Sequence, residues 1–444
     1  MDLPSTSVWD ILSKEMKRII YQALARLWGN GRFSAWDEKT LSYIKSLGTD
    51  YLWLTGIPRH AHGKDFVKGE LGSPYSITDW MDVNPYMADD AEKRMQEFDA
   101  LVGRVHDAGL KLMIDCIPNH VARDYQGGIV HHDYCDGDWT DTYKNDWSSP
   151  QTYSTMLEVL RFWASKGVDG FRCDMVELVP MEPQKALISA IKEEFPGTVF
   201  VAEAYNKGNY RPFIEYVGFD LLYDKSGLYD SLRQIYCSGY TSRAITWNWQ
   251  WLGEFQSAAL NFLENHDEQR LTCSDYLGPY RNGFAALAVS LLFNDSSFML
   301  YFGQEVGENA SESDNGRTSI FSRTEPEAIA DLYKYVVEDE NLDARELKFL
   351  NKYKSMLAYA KIPTFSRGKC WDLCYCNETS EGFNPDRHFA FLRYDDDSAY
   401  LVVCNFSDCE AQMTVSIPEE LRHICRRSAK SLKVGPDDAV VIKL

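Results

Sequence analysis

The sequence predicts an α/β protein: a (β/α)8 TIM barrel with a short inserted loop domain after strand 3 and a C-terminal antiparallel β-sandwich domain. Three observations predict it. Eight short apolar runs alternate with longer amphipathic segments between residues 19 and 303, and after about Tyr359 this rhythm gives way to short alternating runs. The chain has 444 residues, enough for a barrel of about 250 residues or more plus a small extra domain.

The eight runs are IIYQALARLW (19–28), YLWLTGI (51–57), KLMIDCI (111–117), GVDGFRC (167–173), TVFVAEA (198–204), FDLLYD (219–224), ALNFLE (259–264) and SFMLYFG (297–303). Apolar on both faces, they suit parallel strands covered by helices. Helix-like segments lie between them, for example residues 37–48, 91–109 and 149–167. The last opens on Ser149 and Pro150, an N-cap and a first-turn proline, and closes on Gly167. A doubly wound open sheet is the alternative arrangement. The tail runs HFAFLRY, AYLVVCNF, AQMTVSI and AVVIKL read as antiparallel strands. The expected division is a barrel over 1–361, with the insertion at about 120–149, and a β-sandwich over 362–444.

The composition, 45% hydrophobic and 25% charged, excludes disordered and collagen-like classes. A net charge of −20 without a Lys/Arg cluster argues against nucleic acid and against an anionic membrane surface. No stretch of 18 apolar residues is present. The N-terminal residues MDLPSTSVWDILSKEMKRII lack the apolar core of a signal peptide. Eleven cysteines, an odd number scattered singly, point to a reducing compartment and a cytoplasmic protein; export with the leader absent is the alternative. Cys370, Cys374 and Cys376 read as unpaired thiols rather than a zinc knuckle, and His131, His132 and Cys135 as a weak metal candidate. The oligomeric state is not legible.

In a barrel the chemistry gathers at the C-terminal ends of the strands. Strand three runs into Asp115-Cys-Ile-Pro-Asn119-His120, strand four ends in Arg172-Cys-Asp174, strand five in Glu203, and strand seven in Glu264-Asn-His266-Asp267. One such residue is readily a cap or a turn former. Three carboxylates, an Arg and two His on one rim are not a coincidence of that kind.

These segments resemble the signature regions of the α-amylase superfamily, glycoside hydrolase family thirteen. DCIPNH (115–120), GFRCDM (170–175), VAEAY (201–205) and FLENHD (262–267) resemble its four regions in order; GSPYSITDW (72–80) and FGQEVG (302–307) resemble two supporting ones. The resemblance implies a retaining α-glycosidase. Asp174 would be the nucleophile, Glu203 the acid and base, and Asp267 the residue that binds the sugar hydroxyls and favours the distorted ring. Tyr75 would stack on the sugar; Asp115, His120, Arg172 and His266 would complete the binding site, with Arg172 keeping Asp174 ionised. The implied substrate is an α-glucan oligosaccharide, a maltooligosaccharide or starch-derived dextrin with α-1,4 or also α-1,6 bonds, and no cofactor is required. Alternatives are a transglycosylase (a glucanotransferase or trehalose-forming enzyme) and a non-catalytic protein on the same barrel.

The chain departs from the family where calcium often binds. The insertion is short, and Glu177 and Leu178 stand where a Lys-His pair is common. Asn119 and Asp146 are the only nameable oxygen ligands for a structural calcium ion, short of the roughly six it needs. Trp139, Trp147 and the run TWNWQW (246–251) are candidates to line outer sugar subsites.

Overall fold

Eight strands close a barrel in sequence order: β1 (Ile19–Leu24), β2 (Tyr51–Thr55), β3 (Lys111–Cys116), β4 (Gly170–Cys173), β5 (Val199–Ala202), β6 (Leu221–Tyr223), β7 (Ala259–Phe262) and β8 (Ser297–Tyr301). Each pairs parallel to its neighbour, and β8 returns to β1. The computed structural model describes residues 17–278, 281–322, 324–425 and 428–444. The segment read for a signal peptide therefore lies largely outside the described residues. Among those described, no helix is long and apolar enough to cross a membrane.

Period-two alternation decides which side chains fill the barrel. Ile20, Trp53, Met113, Val199, Val201, Leu221, Tyr223, Leu260, Phe262 and Met299 form a separate buried cluster inside it, while Ile19, Tyr21, Leu52, Leu54, Leu112 and Ile114 belong to the larger core outside it. Continuing the inward parity one step brings up Gln22, Asp115, Arg172 and Glu203, the polar layer over this plug. Gly170 is required at the floor, since a Cβ there would meet Met113 Cε at 2.9 Å and the Val199 carbonyl at 3.0 Å.

The first apolar run outlasts its strand. β1 stops at Leu24, and Ala25–Leu27 is a 3-10 turn; the run continues because Leu27 and Trp28 are buried, Trp28 against Trp36 and Tyr333. The helices Glu38–Ser46, Arg94–Asp107 and Pro150–Ser165 lie where the periodicity places them. Pro150 is the first helical residue, but Ser149 makes no side-chain cap bond. The turn is held instead by Thr152 Oγ1 donating to the Asp146 carbonyl at 2.7 Å.

Two excursions build the rim. After β2, strands Pro58–His60 and Ile77–Val83 form a hairpin, which the linear pattern had not separated. After β3, His120–Ala122 pairs with Thr142–Lys144. The tail forms an antiparallel sheet of β9 (Lys369–Asp372), β10 (His388–Tyr394), β11 (Ala399–Asn405) and β14 (Asp438–Lys443), with a second pair of β12 (Ala411–Ser416) and β13 (Ala429–Val434). It is fastened to the barrel by Arg393, fully buried, which donates to the Phe293 carbonyl at 3.1 Å and pairs with Asp295 at 2.6 Å.

Candidate active site

The guanidinium of Arg172 organises the top of the barrel. It is fully buried, and its Nη1 lies 2.7 Å from Asp174 Oδ1 and 3.4 Å from Asp115 Oδ1. Its Nη2 lies 2.9 Å from Glu203 Oε1, in charge contact without hydrogen-bond alignment, and 3.7 Å from Asp267 Oδ2. Four strand ends thus deliver four carboxylates to one cation. A buried charge of this kind is tolerated only with partners.

Each carboxylate is held differently. Asp174 is fixed from its backbone, its N–H donating to the Cys116 carbonyl at 2.9 Å. The next residue, Met175, adopts a left-handed φ of 42°, a conformation costly for a side chain of its size. The Met175 N–H then donates to Glu203 Oε2 at 2.7 Å, and the Tyr205 hydroxyl donates to Glu203 Oε1 at 2.6 Å. Asp115 accepts from Trp53 Nε1 at 3.1 Å and from the Tyr75 hydroxyl at 3.3 Å. Gln22 Nε2 donates to His266 Nδ1 at 2.7 Å, so the imidazole proton sits on Nε2, facing Asp267 Oδ2 at 3.0 Å and the Tyr75 hydroxyl. Tyr75 and His266 stack with centroids 5.3 Å apart.

These surroundings separate the acids. Burial pushes Glu203 up to about 7, against Arg172 and with help from the charges on Asp174 and Asp267. Burial also raises Asp174 and outweighs Arg172 beside it. Arg172 acts to keep Asp174 ionised, against a larger upward push from burial. Asp267, 39% exposed at its side chain, goes the other way; burial acts to raise it, but His266 and Arg172 hold it at about 2. Burial raises Asp115 and lowers His120, the latter to about 4.

A cavity of about 490 Å³ opens above these groups, and Tyr75, His120, Asp174, Glu203, His266 and Asp267 line it. Asp115 and Arg172 lie beneath. Trp139 lines it too, its ring 5.3 Å from that of His120. The other tryptophans considered as subsite candidates, all among the described residues, do not line it. Trp147 donates to the Pro118 carbonyl, Trp249 packs on Phe293, and Trp247 and Trp251 are exposed elsewhere.

Reading along the sequence had not assigned Gln22, Trp53, Lys68, Asp141, Tyr205 or Arg317. Tyr205 carried a signal, two residues beyond Glu203 on the same strand end. Glu177 also has a definite task. Its carboxylate accepts from the N–H groups of Tyr205 and Asn206, each at 3.1 Å, and from Asn209 Nδ2 at 2.8 Å, fastening the loop after β5.

The two oxygen ligands named for a structural calcium ion, Asn119 and Asp146, are already engaged by neighbouring protein groups. Asn119 Nδ2 donates to Asp136 at 2.9 Å, and the Lys144 ammonium already pairs with that carboxylate at 3.0 Å. Asp146 accepts from the N–H and hydroxyl of Ser148, at 2.9 and 2.6 Å. Two buried amide oxygens, Asn119 Oδ1 and Asn145 Oδ1, have no hydrogen-bond partner here, and the Asn145 N–H donates to the Asn119 carbonyl at 2.8 Å. Among the described residues, no three His, Cys, Asp or Glu side chains converge for a metal. His131 and His132 stack on Tyr143 and Tyr134, and Cys370, Cys374 and Cys376 are unpaired thiols.

Comparison with known proteins agrees with this geometry. Residues 38–145 match the family model described as "Alpha amylase, catalytic domain". The chain is similar to the alpha-amylase MalA of Haloarcula japonica, 27% identical over 325 residues, which are 67% of this chain and 45% of that protein. It is also similar to the amino acid transporter heavy chain of Homo sapiens, 27% identical over 217 residues, 38% of this chain and 30% of that one. The chain thus spans less than half the length of these curated relatives. A solved structure, an alpha-amylase from Lactobacillus plantarum, superposes with a TM-score of 0.70 at 22% identity, covering 98% of this chain and 99% of the other. Residues 38–145 thus resemble the α-amylase catalytic domain, and the closed barrel shares the fold of the solved alpha-amylase.

Proposed function

We propose that the protein is a retaining α-glycosidase acting on α-1,4 or also α-1,6 glucosidic bonds of maltooligosaccharides or dextrins. The observation that carries this reading is the pair Asp174 and Glu203 on the two terminal nitrogens of one buried guanidinium. Retention needs two carboxyl groups about 5–5.5 Å apart, a separation that such a shared clamp permits. It also needs one of them protonated and the other ionised. Burial raises Glu203 to about 7, while Asp174 keeps the shorter contact with Arg172.

Chemistry then follows in two balanced steps. Glu203 gives its proton to the glycosidic oxygen as Asp174 attacks the anomeric carbon, and the C–O bond to the leaving sugar breaks. Glu203, now ionised, takes a proton from water, whose oxygen displaces Asp174 from the ester. Asp267 and His266, hydrogen-bonded to each other, face the ring hydroxyls and the positive charge that develops on the sugar. A barrel kept only as a scaffold, as a relative named a transporter heavy chain brings to mind, has no need of this proton arrangement.

The test is product analysis over time on maltoheptaose, pullulan and trehalose, with anomeric configuration followed by NMR. Shorter α-anomeric products are the expected result; β-anomeric products at early times would sink the retaining mechanism. Longer or rearranged sugars would move the assignment to transglycosylation. Chelation with EDTA is expected to leave both rate and Tm unchanged, because Lys144 already neutralises Asp136; a Tm several degrees lower would expose a bound cation.

A further inference from the structure

Three rim loops are tied to one another around one side of the cavity. Arg26, just past β1 and buried, donates from Nη2 to the Gly72 carbonyl at 2.9 Å and to the Ile320 carbonyl. It joins the loop after β2 to the loop after β8 from below. Above it the Leu71 N–H donates to the Phe321 carbonyl at 3.4 Å. Gly69 is pressed so close that a Cβ there would meet Phe321 Cβ at 2.5 Å. Lys68 then crosses to the excursion after β3, donating to the Asp138 carbonyl and lying 3.5 Å from Asp141 Oδ1. Ser76 Oγ adds a bond to the Asp141 carbonyl at 2.9 Å. Lys68, Asp141, Arg317 and Phe321 all face the cavity.

On the other side Glu177, just past β4, ties down the loop after β5 by accepting from the Tyr205 and Asn206 N–H groups. There the cavity is bounded by Met175 and Tyr205, next to Glu203. The two sides have a chemical direction. The acid must stand beside the leaving group, so the leaving sugar lies on the Glu203–Tyr205 side. The sugar that becomes bound to Asp174 lies over Tyr75, with the strapped loops behind it.

Resting on the glycosidase reading above, we propose that Lys68 and the loops it ties form a blind wall behind the bound sugar, so that the enzyme removes single terminal glucosyl units from non-reducing ends. Lys68 is a specificity-determining residue in this scheme and takes no part in proton transfer. A chain that continues beyond the bound sugar would have to displace the Lys68–Asp141 contact and the Leu71–Phe321 hydrogen bond together.

The test compares 4-nitrophenyl maltoheptaoside with the same compound blocked by a 4,6-O-ethylidene group on its non-reducing glucose. Sugars released from each are separated and quantified. The expected result is glucose from the free-ended compound and at most about one hundredth of that rate from the blocked one, the range over which pocket shape discriminates. Lys68→Ala is expected to raise the blocked-to-free ratio by about tenfold, a change that a general loss of folding would not produce. Comparable cleavage of both compounds by the parent enzyme, with maltose or longer sugars as first products, would overturn the wall. Cleavage of neither compound, nor of 4-nitrophenyl α-glucoside, would overturn the glycosidase reading itself and the wall with it.

Discussion

Asp174→Asn is expected to lower kcat by about four orders of magnitude or more, the scale seen when a covalent nucleophile is removed. The amide has the shape of the carboxylate but cannot form the glycosyl ester. It also withdraws one negative charge from around Arg172, whose Nη1 contact at 2.7 Å is the shortest of its four carboxylate contacts. Folding is expected to survive. Arg172 retains Asp115, Glu203 and Asp267 as partners, and the Asp174 N–H keeps its bond to the Cys116 carbonyl. Initial rates on maltoheptaose, with Tm measured in parallel, check both halves. Activity within tenfold of the parent would remove Asp174 from the nucleophile's role. A Tm lower by ten degrees or more would mean that the loss of activity reports unfolding.

How much of this was legible before the structure depends on how locally each feature is determined. Barrel strands announce themselves because both faces are buried, and the inward parity that leads from Val199 and Val201 to Glu203 is a property of the chain alone. The motif residues Asp115, Arg172, Asp174, Glu203, His266 and Asp267 were readable for the same reason, each standing at or just beyond a strand end. Other residues owe their roles to contacts made across the fold. Gln22 in β1 looks like an isolated polar residue until His266, far along the chain, supplies its partner. Lys68 is one basic residue in a loop until Asp141 stands 3.5 Å away. Glu177 registered as a missing family residue, whereas its carboxylate builds a different device by gathering the N–H groups of the loop after β5. Strand β13, AKSLKV, hides for another reason. Its burial alternates, but the more covered face carries Lys430 and the exposed face Ala429, so hydrophobicity does not follow the alternation.

Glu203→Gln is expected to divide substrates by their leaving groups. The amide keeps the shape and still accepts from the Met175 N–H or the Tyr205 hydroxyl, but it has no proton to give. Unactivated maltooligosaccharides, whose departing alkoxide must be protonated, are expected to lose roughly 10²–10⁴-fold in kcat, the usual worth of general acid catalysis. Aryl glucosides with acidic phenols are expected to lose far less in formation of the ester. The pH profile supplies a second readout. In the parent enzyme the acid is competent only while protonated, so kcat/KM should fall as pH rises through about 7. This alkaline limb should vanish from the variant when an activated substrate is used. Stability should move in the same sense. A carboxyl whose folded pKa is raised contributes stability at low pH that is lost as pH rises through about 7. The Gln variant, with no charge to bury, is therefore expected to lose less Tm than the parent as pH rises from about 4.5 through about 7. A variant that keeps the alkaline limb, or that loses activated and unactivated substrates equally, would show that the proton comes from elsewhere, and the same titration of kcat/KM against pH would then report the pKa of the true donor.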